Sequence, residues 1–241
     1  MSDAFFEREE AEYGYEGGAV KPYLSALIKP KIYEGIEEGK FNKNEPDEVY
    51  DIDYIYGYNG WICRQNVYFD YKYRIVYNCA AVGIVLNTIS NTQMLFGGGY
   101  YTKTIPANLK IHTDDITALA ISKDRKLCAT GQVGNTPIVF IWETETCKLK
   151  DGDFSIKLAP NTNEISALAF SNCGTYLTIC DNSINPSIYV YFVENGKLAY
   201  SDKGDGHKIC DVKWSNNKQT ELHFMSVGIK HVYFWDPFKA S

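Results

Sequence analysis

No stretch of this 241-residue chain is long and apolar enough for a membrane helix: the longest such run, CAAVGIVL from Cys79 to Leu86, falls far short of the roughly 20 residues required. The N-terminus, MSDAFFEREEAE, has no basic segment leading into an apolar one, so no secretory signal or mitochondrial presequence is expected and the expected compartment is the cytoplasm. No ten-residue stripe at helical spacing occurs, which argues against an α-rich fold. The seven cysteines contain no C-x-x-C pair, and several sit in apolar runs such as KLCAT, YLTIC and KICDV. This pattern predicts free buried thiols in a reducing compartment rather than a disulfide framework or a zinc site. A basic stripe is also missing. Residues 1–50 hold 6 Lys/Arg against 12 Asp/Glu, while the remainder balances, so neither nucleic acid nor a membrane surface is an expected partner. GGGYYTK, from Gly97 to Lys103, has neither the spacing nor the helix of a phosphate loop, and DGDF and DKGDGH lack the D-x-[DN]-x-[DN]-G pattern and distant Glu of a calcium loop. No cofactor and no metal are expected.

What is present is β-forming residues and turns. Hydrophobic residues make up 45% of the chain and aromatics 15%, enough for a folded core. Residues 1–49 mix Gly, Pro and charge, predicting a mostly extended acidic arm. Its island YLSALI offers Tyr23, Leu24 and Ile28 as candidate partner contacts. From residue 50 the chain turns to short runs of Val, Ile, Tyr and Phe broken by Gly, Asn and Asp, the pattern of strands and tight turns. NVYFDYKYRIVYN alternates Tyr71, Tyr73, Ile75 and Tyr77 with Lys72, Arg74 and Val76, which predicts one strand with a buried and a wetter face.

A repeat organises residues 105–241. ITALAISKDRKL, ISALAFSNCGTY and ICDVKWSNNKQT, starting at Ile116, Ile165 and Ile209, each read as an apolar strand ending in Ser, a polar turn and a second strand. A further strand then closes on Trp142, Phe192 or Trp235, and in two units ETETCKLK and ENGKLAY predict a fourth. Four strands per unit at this period is the pattern of WD-type β-propeller blades, whose faces are buried only by neighbouring blades. His112, Thr130 and Trp142 occupy the positions of a blade's hydrogen-bonding network. His207 and Trp235 are its expected counterparts in the third unit, and Asn161 replaces the histidine in the second.

YGYNGWICRQN, from Tyr56 to Asn66, gathers aromatic, thiol and guanidinium groups and so resembles a site. A nucleophilic Cys63 would need a base and a group to orient it. The four histidines all lie within the blades, none in a triad-like context, so no catalytic residue is assigned. Together with RIVYNCAAVGIVLN and the HTDDITALAISKDRKLCATGQVG run, this stretch resembles the echinoderm microtubule-associated protein-like family, in which a hydrophobic motif precedes the blades. Tyr56, Gly57, Tyr58, Gly60, Cys63, Arg64, Asn66 and the run from Ala80 to Val85 carry the likeness. Asn59, Trp61 and Ile62 depart from it, and FGGGYYTKTIPANLK, between Leu95 and Ile111, is longer than the family's short connection and carries Tyr100 and Tyr101 as candidate partner contacts.

The resemblance implies an all-β, partial WD-repeat propeller of about four blade equivalents: an arm (1–49), hydrophobic-motif strands with an inserted loop (50–104), and three blades (105–241). It further implies a non-enzymatic scaffold of microtubules, with those of the ciliary axoneme as the expected setting and tubulin or other microtubule-associated proteins as partners. The acidic arm favours binding away from tubulin's acidic tails. The alternative is a general adaptor for signalling or ubiquitin-pathway complexes. A chain ending after FWDPFKAS would leave a blade edge open, to be covered by further blades of a longer native chain or by another subunit.

Overall fold

The short β-branched and aromatic runs form strands joined by tight turns. The computed structural model describes residues 52–61, 63–97, 110–150, 155–160 and 162–239. The arm, Tyr23, Leu24 and Ile28 within it, and the loop carrying Tyr100 and Tyr101 lie outside those residues.

The first sheet is an antiparallel meander of β1 (Val67–Phe69), β2 (Ile75–Cys79), β3 (Val82–Asn87) and β4 (Thr92–Phe96). The second contains β5 (Ile116–Ile121), β6 (Leu127–Gln132), β7 (Ile138–Glu143) and β8 (Ser155–Lys157). The third contains β9 (Ile165–Phe170), β10 (Tyr176–Asp181), β11 (Ser187–Phe192) and β12 (Leu198–Lys203). In the fourth sheet β13 (Ile209–Trp214), β14 (Phe224–Gly228) and β15 (His231–Trp235) are paired, and no fourth strand joins them among the described residues. First strands of successive repeat sheets pack side by side, β5 on β9 and β9 on β13, while the first sheet meets the second through β2 and β5. The result is an all-β arc of propeller blades.

The first two repeats use their serine in the same way, while Ser215 of the third pairs with Thr220 instead. The amide of Ser122 donates to Leu127 O at 2.9 Å while its hydroxyl accepts from Leu127 N at 2.9 Å. Ser171 and Tyr176 repeat the exchange at 2.8 and 2.9 Å. This local trap for backbone groups accounts for the serine that ends the first two apolar strands. The intervening turn needs a left-handed residue, supplied by Gly174 (φ 74°) in one repeat and by Arg125 (φ 59°) in the other.

Three buried clusters fill the spaces between sheets. Val76, Val85 and Phe96 meet Leu119, Phe140 and Trp142 between the first two sheets. Ile141 and Ile156 meet Ile165, Leu177 and Ile179 between the second and third. Ile188 and Val190 meet Ile209, Trp214 and Phe224 between the third and fourth.

Two sequence expectations change. NVYFDYKYRIVYN is a hairpin rather than one strand, because the buried Asp70 carboxylate accepts from the amides of Lys72 (2.9 Å) and Arg74 (2.7 Å) and Tyr73 turns left-handed at φ 59°. An Asx-type turn thus overrides the alternation. The fourth strand of the second sheet is Ser155–Lys157, while ETETCKLK holds a turn with one isolated bridge, Trp142 to Leu149.

Candidate protein-interaction scaffold

The buried network of the second sheet is built on strand ends. β6 presents Thr130 and Gln132, β7 presents Trp142, and the approach to β5 brings in His112. His112 Nδ1 lies 2.9 Å from Gln132 Oε1, Nε2 lies 2.8 Å from Thr130 Oγ1, and Trp142 Nε1 donates to Thr130 Oγ1 at 3.1 Å. Gln132 Oε1 only accepts, so Nδ1 carries the proton, and Nε2 accepts from the Thr130 hydroxyl. Burial holds the His112 imidazole down to about 4, so it is neutral, as this chain of bonds requires.

The other repeats do not copy this network. In the fourth sheet Trp235 Nε1 donates to Ser226 Oγ at 2.8 Å, but His207 is not brought to that pair. It is exposed, with Nδ1 2.6 Å from Asp205 Oδ1. In the third sheet the hydroxyl of Thr178 is buried without a hydrogen bond among the described residues. Asn161, expected to replace the histidine, lies outside them.

The YGYNGWICRQN stretch supplies joints. Tyr58 OH donates to Asn66 Oδ1 at 2.8 Å, and Asn66 Nδ2 donates to Asn59 O at 2.6 Å. Gly57 sits against Cys79, where an added Cβ would lie 2.5 Å from Sγ. Cys63 is buried and its thiol donates to Ile116 O at 3.0 Å, a carbonyl that also accepts from Asn78 Nδ2 at 3.0 Å. Burial raises its thiol above the usual range, the reverse of what a nucleophile needs. Arg64 is exposed beside a small cleft with Gln65, Tyr68 and Asp211, and Tyr56 is 92% exposed.

The role of Cys63 has a sequence signal in the repeats themselves. Thr117, one residue after Ile116, is the bulged residue of β5 and donates to Ile165 O at 2.8 Å, the first residue of the next sheet's leading strand. Cys63 makes the same contact one sheet earlier. The pairs Ile62-Cys63, Ile116-Thr117, Ile165-Ser166 and Ile209-Cys210 recur through the chain, each a small donor after Ile. Ser166 instead donates within its own sheet, to Cys180 O at 3.2 Å and Asp181 O at 3.1 Å.

A second joint between the first two sheets centres on Arg74. Its guanidinium is 2.7 Å from the Asp70 carboxylate and donates across to Thr144 O at 2.9 Å, with Glu145 at 3.8 Å. Across the arc, Gln65 Nε2 donates to Asp211 Oδ2 at 2.6 Å and Gln65 Oε1 accepts from Lys213. The leading segments of the first and fourth sheets are thereby linked beside a cavity of about 260 Å³ lined by Tyr68, Leu168 and Trp214. No group of three metal-ligating side chains occurs among the described residues.

A blade series carrying the His-Thr-Trp network defines a WD-repeat propeller protein. Family models agree, matching a HELP motif at residues 45–84 and a WD domain, G-beta repeat, at residues 103–143. The chain is 33% identical over 235 residues to the ciliary WD repeat-containing protein ctxp80 of Euplotoides octocarinatus, covering 96% of this chain and 32% of that protein. It is 26% identical over 241 residues to the 77 kDa echinoderm microtubule-associated protein of Strongylocentrotus purpuratus, covering 95% and 32%. With human echinoderm microtubule-associated protein-like 1 it shares 28% identity over 249 residues, covering 94% and 27%. The chain thus combines a HELP motif with WD repeats and resembles the echinoderm microtubule-associated protein-like family, as its sequence implied. It spans 32% or less of the length of these three relatives. Among solved structures, U3-55K (TM-score 0.54, 16% identity, 71% of this chain and 49% of that one) and the RRP9 WD40 repeats (TM-score 0.52, 17% identity, 68% and 46%) share the propeller fold.

Proposed function

We propose that the chain is a non-enzymatic scaffold that associates with microtubules, in particular the stable microtubules of the ciliary axoneme. The observation that carries this reading is the HELP motif followed by WD blades, in a chain similar along almost its whole length to a ciliary WD-repeat protein. The geometry is in keeping with it. The thiol, histidine and tryptophan most suggestive of chemistry are buried in hydrogen bonds, Cys63 joining two sheets and His112 and Trp142 tying the second sheet together, which leaves surfaces for contact with other proteins. Tyr23, Leu24, Ile28, Tyr100 and Tyr101 remain proposed contacts. The arm's acidity favours docking away from tubulin's acidic tails or through other microtubule-associated proteins.

The test is co-sedimentation with taxol-stabilised microtubules, together with retention of the native protein in salt-washed axonemes. Recovery in the pellet is expected. Recovery only in the soluble fraction overturns the reading, and affinity capture of signalling or ubiquitin-pathway proteins without tubulin would favour the general adaptor.

A further inference from the structure

Residues 51–241 hold 18 Lys/Arg and 18 Asp/Glu, but the fold separates the signs. Ile121, Phe170 and Trp214, the last residues of β5, β9 and β13, line one cavity of about 260 Å³, with Tyr68 of β1 on its wall. The turns that follow the leading strands therefore share one end of the arc, and the approaches to those strands share the other. The approaches, residues 110–115, 158–164 and 204–208, carry Asp114, Asp115, Glu164 and Asp205 against Lys110 and Lys208. Lys208 is held by Glu164 at 2.9 Å.

The turn end has the opposite balance. Residues 70–74, 122–126, 171–175 and 215–223 carry Lys72, Arg74, Lys123, Arg125, Lys126 and Lys218 against Asp70, Asp124 and Glu221. Two of those carboxylates are already engaged. Asp70 is buried with Arg74 at 2.7 Å, and Asp124 Oδ1 accepts from the Ser122 hydroxyl at 2.6 Å and the Lys126 amide at 3.1 Å. Glu145, from a neighbouring turn, is taken up by Tyr71 and Lys72. Lys123, Arg125 and Lys218 are exposed and form no ion pair among the described residues. The turn after β9 has no charged residue and lies between the two groups of cations; its Asn172 Nδ2 donates to Ser215 O on the fourth-sheet side. The cavity opens beside it, with Lys213 and Asn216 as exposed lining residues.

We propose that this end docks an acidic segment of another protein that carries one large apolar side chain. Its carboxylates meet Lys123 and Arg125 on one side of the neutral turn and Lys218 on the other, where complementary charge sets orientation and the rate of encounter. Its apolar side chain enters the cavity against Tyr68 and Phe170, as an anchor filling a pocket inside a polar rim. A polypeptide fits better than a nucleic acid or a lipid surface. Carboxylates interleave with the cations, whereas a phosphate backbone calls for an unbroken basic track, and the cavity is the size of a single side chain. The proposal goes beyond the microtubule reading and does not depend on it, since any protein offering such a segment would fit.

The test is fluorescence anisotropy of the full 241-residue chain with a labelled heptapeptide of glutamates around a central phenylalanine, with circular dichroism confirming that each variant is folded. Saturable binding that weakens as salt rises is expected. Serine in place of the phenylalanine should weaken it roughly tenfold, the loss of an anchor. Lys123→Glu and Lys218→Glu should each weaken it roughly tenfold as well, while Lys203→Glu, beside the acidic approaches, should leave it unchanged. Four results overturn the proposal: no binding by the full chain; equal binding of the phenylalanine and serine peptides; binding indifferent to Lys123→Glu and Lys218→Glu; and displacement of the peptide by phosphatidylserine vesicles or polyuridylate at lower concentration than by unlabelled peptide, which would assign this end to a lipid surface or a nucleic acid.

Discussion

At the scale of single residues, His112 sets a pH limit. Its folded-state pKa of about 4 lies below the ordinary value of 6.5, so between those values the unfolded chain binds a proton that the folded chain refuses. This stability is complete above pH 6.5 and is lost as pH falls toward 4, on the order of 3 kcal/mol by linkage. Urea unfolding at pH 7 and pH 4.5 should show the loss, and His112→Gln should remove most of the pH dependence assigned to this group. A variant with an unchanged pH profile would mean other groups carry it. The cysteines make a second residue-scale prediction. Burial raises the thiols of Cys63, Cys128 and Cys180. At the exposed Cys173 burial acts the same way, but hydrogen bonds from Ser171 and Thr175 outweigh it and bring the thiol below its ordinary value. Alkylation followed by mass spectrometry should therefore mark Cys173 first, with Cys63 as slow as Cys128. Fast, selective labelling of Cys63 would reopen the question of a nucleophile.

At the scale of elements, strand order follows from local signals, but the joints between sheets depend on a few long contacts. Arg74 begins as one of the alternating charges of a tyrosine-rich run and ends as a clamp, holding the fully buried Asp70 within its own hairpin and Thr144 O in the next sheet. Arg74→Ala strands a buried carboxylate and should cost about 3–5 kcal/mol. Arg74→Lys should recover only part of it, since an ammonium cannot fork between the two partners. Denaturant titration measures both; a loss under about 1 kcal/mol for the alanine variant would show that water or Lys72 takes over. The Asp70 turn also explains why alternation misread this segment: a carboxylate capturing two amides outweighs a side-chain pattern that has no means of registering a turn.

At the scale of the whole molecule, each sheet buries its apolar residues only against its neighbours, so the described unit is a series in which every interface stabilises the two sheets it joins. The Gln65–Asp211 bond adds a link between the first sheet's leading segment and the fourth sheet. Thermal unfolding followed separately by tryptophan fluorescence and far-ultraviolet dichroism should give coincident transitions. Separated transitions would mean that the fourth sheet, which packs on one other sheet among the described residues, melts alone.

The amino-acid sequence by itself determined most of the strands, the period, the serines that end the apolar strands and the His112, Thr130 and Trp142 positions. These depend on residue type and spacing along the chain, and the HELP and WD likeness rests on the same residues. Only the tertiary structure decided that Cys63 serves the carbonyl of Ile116 and that His207 stands apart from Ser226 and Trp235. Each of those depends on which distant backbone group a side chain meets once sheets stack, and spacing along the chain does not encode that distance. The repeated Ile followed by a small donor came nearest to revealing it, since a bulged residue at a fixed place in every leading strand turns a local pattern into a contact between blades.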